Sequence, residues 1–154
     1  MTRPAHPAGT YVGLYGSHGA KWRREATILL EAAGVPWHDP TDPRWNDISH
    51  ENGDEHQATI DQLVAEEHEA LLAAGCVVFH LAGGPSPPAS LAARFELGLL
   101  AGRGLGTFLH VEPGATGRNY IWAALPRYPN IVRCDSLAAA VQRAIERMKS
   151  PSPA

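Results

Sequence analysis

The stretch at residues 76–98, CVVFHLAGGPSPPASLAARFELG, narrows the folds open to this chain more than any other. Residues 76–81 are a short, almost wholly apolar run, which fits a strand buried on both faces of a parallel sheet. The Pro/Gly-rich loop at 82–88 ends it. From Ala89 a helical pattern begins, with Ser90 placed to cap it and Leu91, Phe95 and Leu99 at four-residue spacing. Inside this apolar helix sits one carboxylate, Glu96. In an open α/β sheet the loops leaving the carboxyl ends of the strands form the ligand crevice, so Glu96, within two turns of such a loop, lies near it. Position alone also suits a solvated surface glutamate, because Glu is rarely buried unpaired.

The remaining chain repeats the alternation. TYVGLY at 10–15 reads as the first strand and GSHG at 16–19 as the turn that leaves it. The glycine spacing there is neither the dinucleotide fingerprint nor the phosphate loop, but it permits close backbone approach to a ligand. Trp22, Ala26, Leu29, Leu30 and Ala33 share one face of a helix that Gly34 closes. VPWHDP opens a second strand, which Pro36 pushes toward an edge. Residues 39–56 hold no sustained period, and a loop this long in a compact domain serves as a lid or binding loop. Its His50 and His56 have no metal-ligand spacing around them, so no metal site is expected.

A helix over residues 57–74 follows, with Ile60, Leu63, Val64, Leu71 and Ala74 on one face. Glu67, seven past Ile60, completes that repeat. A carboxylate there needs a partner or a role, and two readings stay open: a site acid with a raised pKa, or a side chain that snorkels or pairs with an arginine. GTFLHV at 106–111 is a fourth strand, a short helix spans 119–125, residues 130–133 make a fifth strand, and an amphipathic helix through Leu137, Val141, Ala144, Ile145 and Met148 closes the chain. The expected fold is therefore α/β: a doubly wound, parallel sheet of about five strands. One domain at 10–149 is expected, with loose Pro-rich tails at 1–9 and 150–154.

Composition excludes several classes. A net charge of −3 over 154 residues, with no Lys/Arg cluster, leaves no footprint for nucleic acid. Cys76 and Cys134 read as buried reduced thiols. No apolar run reaches membrane-span length and residues 1–9 lack a signal-peptide core, so a soluble cytoplasmic protein is expected.

The order of Tyr11-Val12-Gly13, Trp22-Arg23, Asp39-Pro40, the AGCVVFHL strand, the SLAARFELG helix and Asn119-Tyr120-Ile121 resembles the nucleoside 2-deoxyribosyltransferase family over residues 10–149. The resemblance implies that Glu96, followed by Leu97 and Gly98, is the nucleophile and that Tyr11 supports it. It implies that Asn119 reaches into a neighbouring subunit's site, hence a homo-oligomer, with Ile121 where the family has Met. Asp39 and Ser90 fall at substrate-binding positions. Three departures stand out. Glu67 and Ser90 occupy places where the family has aspartates, and PSPPAS replaces its Asp-Ser/Gly-Gly-Thr run.

The implied chemistry suits the two glutamates. Breaking an N-glycosidic bond passes through a cation-like sugar that a carboxylate stabilises and then captures, a role for Glu96. Departure of the base is helped by a proton, a role for Glu67. Tyr15, Trp22, Trp37 and Trp45 are near crevice loops and suit either base stacking or packing. Ser17 and Gly19, before a helix N-terminus, suit a phosphate. The expected function is cleavage of a nucleoside or nucleotide, without cofactor, with transfer of the (deoxy)ribosyl group to another base or to water. The rival is a non-catalytic module of the same fold that senses a nucleoside or nucleotide.

Overall fold

A computed structural model describes residues 3–48, 56–84 and 90–150. Along them run β1 (Val12–Gly16), α1 (Ala20–Ala32), β2 (Trp37–His38), α2 (Gln57–Ala73), β3 (Cys76–Leu81), α3 (Ser90–Arg103), β4 (Thr107–Val111), α4 (Arg118–Ala124), β5 (Ile131–Arg133) and α5 (Leu137–Lys149). Every strand pairing is parallel, and the sheet order is β2-β1-β3-β4-β5. This is the doubly wound α/β fold expected from the alternation. The order reverses between β1 and β3, which makes the carboxyl ends of these two strands the natural ligand crevice.

The central strand β3 buries all six of its residues. At roughly 1.5–3 kcal/mol for each large apolar side chain removed from water, it anchors both layers. Alternation then sorts the sheet's faces. Val12, Leu14, Cys76, Val78 and Phe108 pack with α1 and α5. Tyr11, Tyr15, Val77, Phe79, Leu81 and Leu109 point the other way, into a core shared with α2 and α3. Gly13 leaves room for this second layer, since a Cβ there would meet the Tyr15 ring at 2.8 Å. Cys76 and Cys134 are buried free thiols.

Helix faces differ from their apolar spacing in an instructive way. Leu91 and Phe95 are 69% and 67% exposed, and α3 instead buries Ala93, Leu97 and Leu100. The helix is apolar nearly all round, so spacing does not choose its face. The stripe actually buried, at i, i+4 and i+7, has Glu96 at i+3, which draws that carboxylate inward. Leu29 of α1 and Val64 of α2 are likewise turned outward. The expected loop at 39–56 contains a 3-10 turn, Pro43–Asp47, capped by the Asp42 side chain. The helix expected at 119 starts one residue earlier, after Gly117 in the left-handed region (φ 78°). His50, most of the loop at 82–88 and the Ser90 side chain lie outside the described residues. No helix among the described residues is long and apolar enough to cross a membrane.

Candidate active site

The turn after β1 is stitched to the end of β3. Gly16 takes φ 134°, and a Cβ there would collide with the His80 carbonyl, so the two backbones approach as only glycine allows. The Ser17 N–H donates to the His80 carbonyl at 2.8 Å, and the Ala82 N–H donates to Ser17 Oγ at 2.9 Å. The Ser17 carbonyl accepts from Trp22 Nε1 (2.9 Å) and from the Arg23 guanidinium (2.8 Å). Ser17 thus ties β1, β3 and the first turn of α1 together. Its amide, which a bound phosphate would use, is spent inside the protein.

Arg23 brings a cation to the crevice. Its Nε lies 3.1 Å from Asp39 Oδ1, a charge contact rather than an aligned hydrogen bond. Asp39 also accepts from the Thr41 N–H (3.0 Å) and hydroxyl (2.7 Å). The guanidinium lies 4.4 Å from the centre of the buried Trp22 ring, which also packs against His80 at 5.2 Å. Trp22 is therefore a wall of the core. Arg23, Trp37, Asp39, Thr41, His18 and Gly19 line a cleft of about 450 Å³. The two carboxylates are not in its lining, but Arg23 acts on both, because its charge is felt by Glu67 and by Glu96.

Glu96 from α3 lies within the field of Glu67 from α2. Burial, then the charge of Glu67, pushes the Glu96 carboxyl up to about 8, against a smaller opposite pull from Arg23. Burial also raises Glu67, opposed by a hydrogen bond from Trp45 Nε1 to its Oε1 at 2.9 Å. The charge of Glu67 thus opposes ionisation of Glu96, which keeps its proton near neutral pH. Tyr15 stands beside them. Its hydroxyl donates a long hydrogen bond, 3.4 Å, to the Glu67 carbonyl, and burial together with the charge of Glu96 keeps it protonated.

The structure gathers Glu96, Glu67, Tyr15, Asp39 and Ser17 at the switch point. Tyr11 is turned away: its hydroxyl donates to the Ala70 carbonyl of α2 at 2.6 Å and its ring meets His38 edge-on. Asn119 is exposed on α4, beside a separate surface cleft that runs from Pro113 to Tyr120. Ser90 opens α3.

One constellation has no counterpart in the sequence reading. On the α1/α5 face, strand register sets His80 beside His110, their Nδ1 atoms 3.1 Å apart. His80 Nε2 lies 3.3 Å from Glu112, whose other oxygen accepts the Gly83 N–H at 2.8 Å. A carboxylate only accepts, so His80 carries its proton on Nε2 and receives one from His110 at Nδ1. The network is complete with both rings neutral. Only pairing β3 with β4 in register would have found it, since the two histidines are 30 residues apart.

A family model described as nucleoside 2-deoxyribosyltransferase like matches residues 9–114. No curated protein matches the chain significantly. The family match runs from just before β1 past the end of β4 and so includes the switch point, Arg23, Asp39, Glu67 and Glu96. The chain belongs to the nucleoside 2-deoxyribosyltransferase-like family.

Proposed function

We propose that this protein cleaves the N-glycosidic bond of a nucleoside or nucleotide through a covalent glycosyl-enzyme intermediate. The observation that carries this reading is the pair of part-buried carboxyls, Glu96 and Glu67, brought from two helices to one crevice, where burial raises both and the charge of Glu67 further opposes ionisation of Glu96. Glu96, raised to about 8, holds a proton at neutral pH, so the reactive form is the one in which that proton is on Glu67 and the charge is on Glu96. A Glu96 oxygen bonds to C1′ as the C1′–N bond breaks, and the Glu67 proton passes to the departing base. Water or a second base then attacks C1′, Glu96 leaves as carboxylate and the new nucleophile's proton returns to Glu67. Two displacements at one carbon retain its configuration.

Arg23 supports the charged state of Glu96, Tyr15 borders the pair, and Asp39 and the half-buried Trp37 wall the adjoining cleft, which has room for a nucleoside. In this reading Tyr11 supports the site through α2 rather than by touching the nucleophile. Ser17 retains its hydroxyl proton as a donor toward substrate, and Ser90 starts the nucleophile's helix. The acceptor is either a base or water, and the activity is cytoplasmic. Exposed Asn119 completes the site of a second copy in a homo-oligomer. Mixing Glu96→Ala and Asn119→Ala chains then restores activity after subunit exchange, and failure to do so despite proven exchange removes Asn119 from the site.

A second reading, a ligand-sensing module without turnover, is favoured by PSPPAS in place of the family's run before the helix. Release of free base from ribo- and deoxyribonucleosides and their 5′-monophosphates, followed by chromatography, separates the two. Release that disappears in Glu96→Gln supports the enzyme. Binding without release from any of them supports the sensor.

A further inference from the structure

The 3-10 turn at Pro43–Asp47 is held to α2 by two neighbouring contacts. Arg44 pairs with Glu66 at 2.9 Å, and Trp45 Nε1 donates to Glu67 Oε1 at 2.9 Å. The turn is itself rigid at its root. Asp42 is buried, accepts the Arg44 N–H at 2.9 Å and pairs with the Arg44 guanidinium at 2.8 Å. Adjacent residues of the turn thus grip adjacent glutamates of the helix. Only one of those glutamates, Glu67, is the second carboxyl of the crevice.

We propose that Trp45 is a positioning residue for the proton-donating step: its indole N–H pins Oε1 of Glu67 and leaves Oε2 to carry the proton and deliver it to the departing base. This rests on Glu67 being the acid of the proposed reaction. A protonated carboxyl accepts through its carbonyl oxygen and donates through the other, so pinning one oxygen selects the donor. An indole N–H donates and never accepts, so the contact persists in both protonation states. It strengthens as the proton leaves, because a bond to a forming carboxylate is stronger than one to a neutral acid. The other groups facing Glu67 are Asp42 from the root of the turn, which opposes its ionisation, Arg23 from α1, which favours it, Glu96 from α3 and the Tyr15 hydroxyl from β1. Among these, Trp45 makes the hydrogen bond to the carboxyl itself.

The test is Trp45→Phe, which keeps a ring and removes the N–H. Glu67 becomes the weaker acid, so the basic limb of the pH profile moves to higher pH. The ratio of the rate above that limb to the plateau rate then rises about threefold. Plateau turnover falls about tenfold for substrates whose base leaves poorly and little for activated ones. Both changes vanish when Trp45→Phe is made in Glu67→Gln. An equal loss on all substrates with the limb unmoved overturns the proposal and leaves Trp45 as packing. The wild-type chain gives a second readout that needs neither turnover nor a tolerated variant. The Trp45 indole N–H resonance, assigned by ¹⁵N labelling, shifts with pH as Glu67 ionises, and that shift is lost in Glu67→Gln. A resonance that ignores pH overturns the pinning. One that follows Glu67 while no substrate releases base upholds the pinning and removes the acid role with the reaction.

Discussion

The two faces of the sheet end in opposite kinds of titratable cluster. Toward α2 and α3, Glu67 and Glu96 are like groups raised by burial, Glu96 further by the charge of Glu67, with a side-chain hydrogen bond from Trp45 and a shared cation, Arg23. Toward α1 and α5, His80, His110 and Glu112 satisfy one another and the Gly83 amide. Both clusters sit at the ends of central strands, within the field of the same arginine. The first stores electrostatic cost that a substrate can relieve, which suits chemistry. The second is paired within itself and to the Gly83 amide, which suits holding the loop after β3 in place.

This contrast sets opposite pH dependences of stability. Glu96 is raised in the folded state to about 8, so its contribution is present below its ordinary value and is lost as pH rises toward 8. His80 is lowered to about 4, by burial first and then by His110, so its contribution is present above its ordinary value and is lost as pH falls toward 4. Wild type is therefore eroded from both sides, by a different face each time.

Glu96→Gln carries the largest expected effect. It lowers base release about 1,000-fold or more, because the charge that meets the sugar cation is gone. The same variant melts higher than wild type at pH 8, by on the order of 5 °C, and no differently near pH 4. Next is Glu67→Gln, expected to cost about 100-fold on substrates with poor leaving groups and much less on activated ones. Equal losses on both would make Glu67 structural. The smallest change belongs to the other face. Glu112→Ala removes the partner of His80 and Gly83 and costs about 1 kcal/mol of stability, with base release within about threefold of wild type. If Glu112→Ala abolished turnover, the histidine face would be part of the machinery and the contrast would fail.

Much of this was legible in the chain itself. Short apolar runs alternating with helical patterns suffice for a parallel doubly wound sheet, because such runs bury both faces only there. The carboxylates stood out because Glu is rare on apolar stripes. What spacing did not settle was which stripe α3 buries, since Leu91 and Phe95 are as apolar as Leu97 and Leu100; sheet packing decides that. The Trp45–Glu67 contact joins residues 22 apart across a segment with no period, and the His80–His110 pair depends on strand register. Arg23 stood in the sequence only as part of the Trp22-Arg23 pair, and it is the fold that brings it to Asp39 and the carboxylate pair.

The most direct measurement is intact-protein mass spectrometry after incubation with a nucleoside carrying fluorine at the sugar 2-position, which slows breakdown of the intermediate more than its formation. Wild type should gain a mass equal to the fluorinated sugar, mapping to the peptide that contains Glu96 and missing from Glu96→Gln. An adduct on another residue, or turnover that persists in Glu96→Gln with no adduct on either protein, would contradict a nucleophilic Glu96.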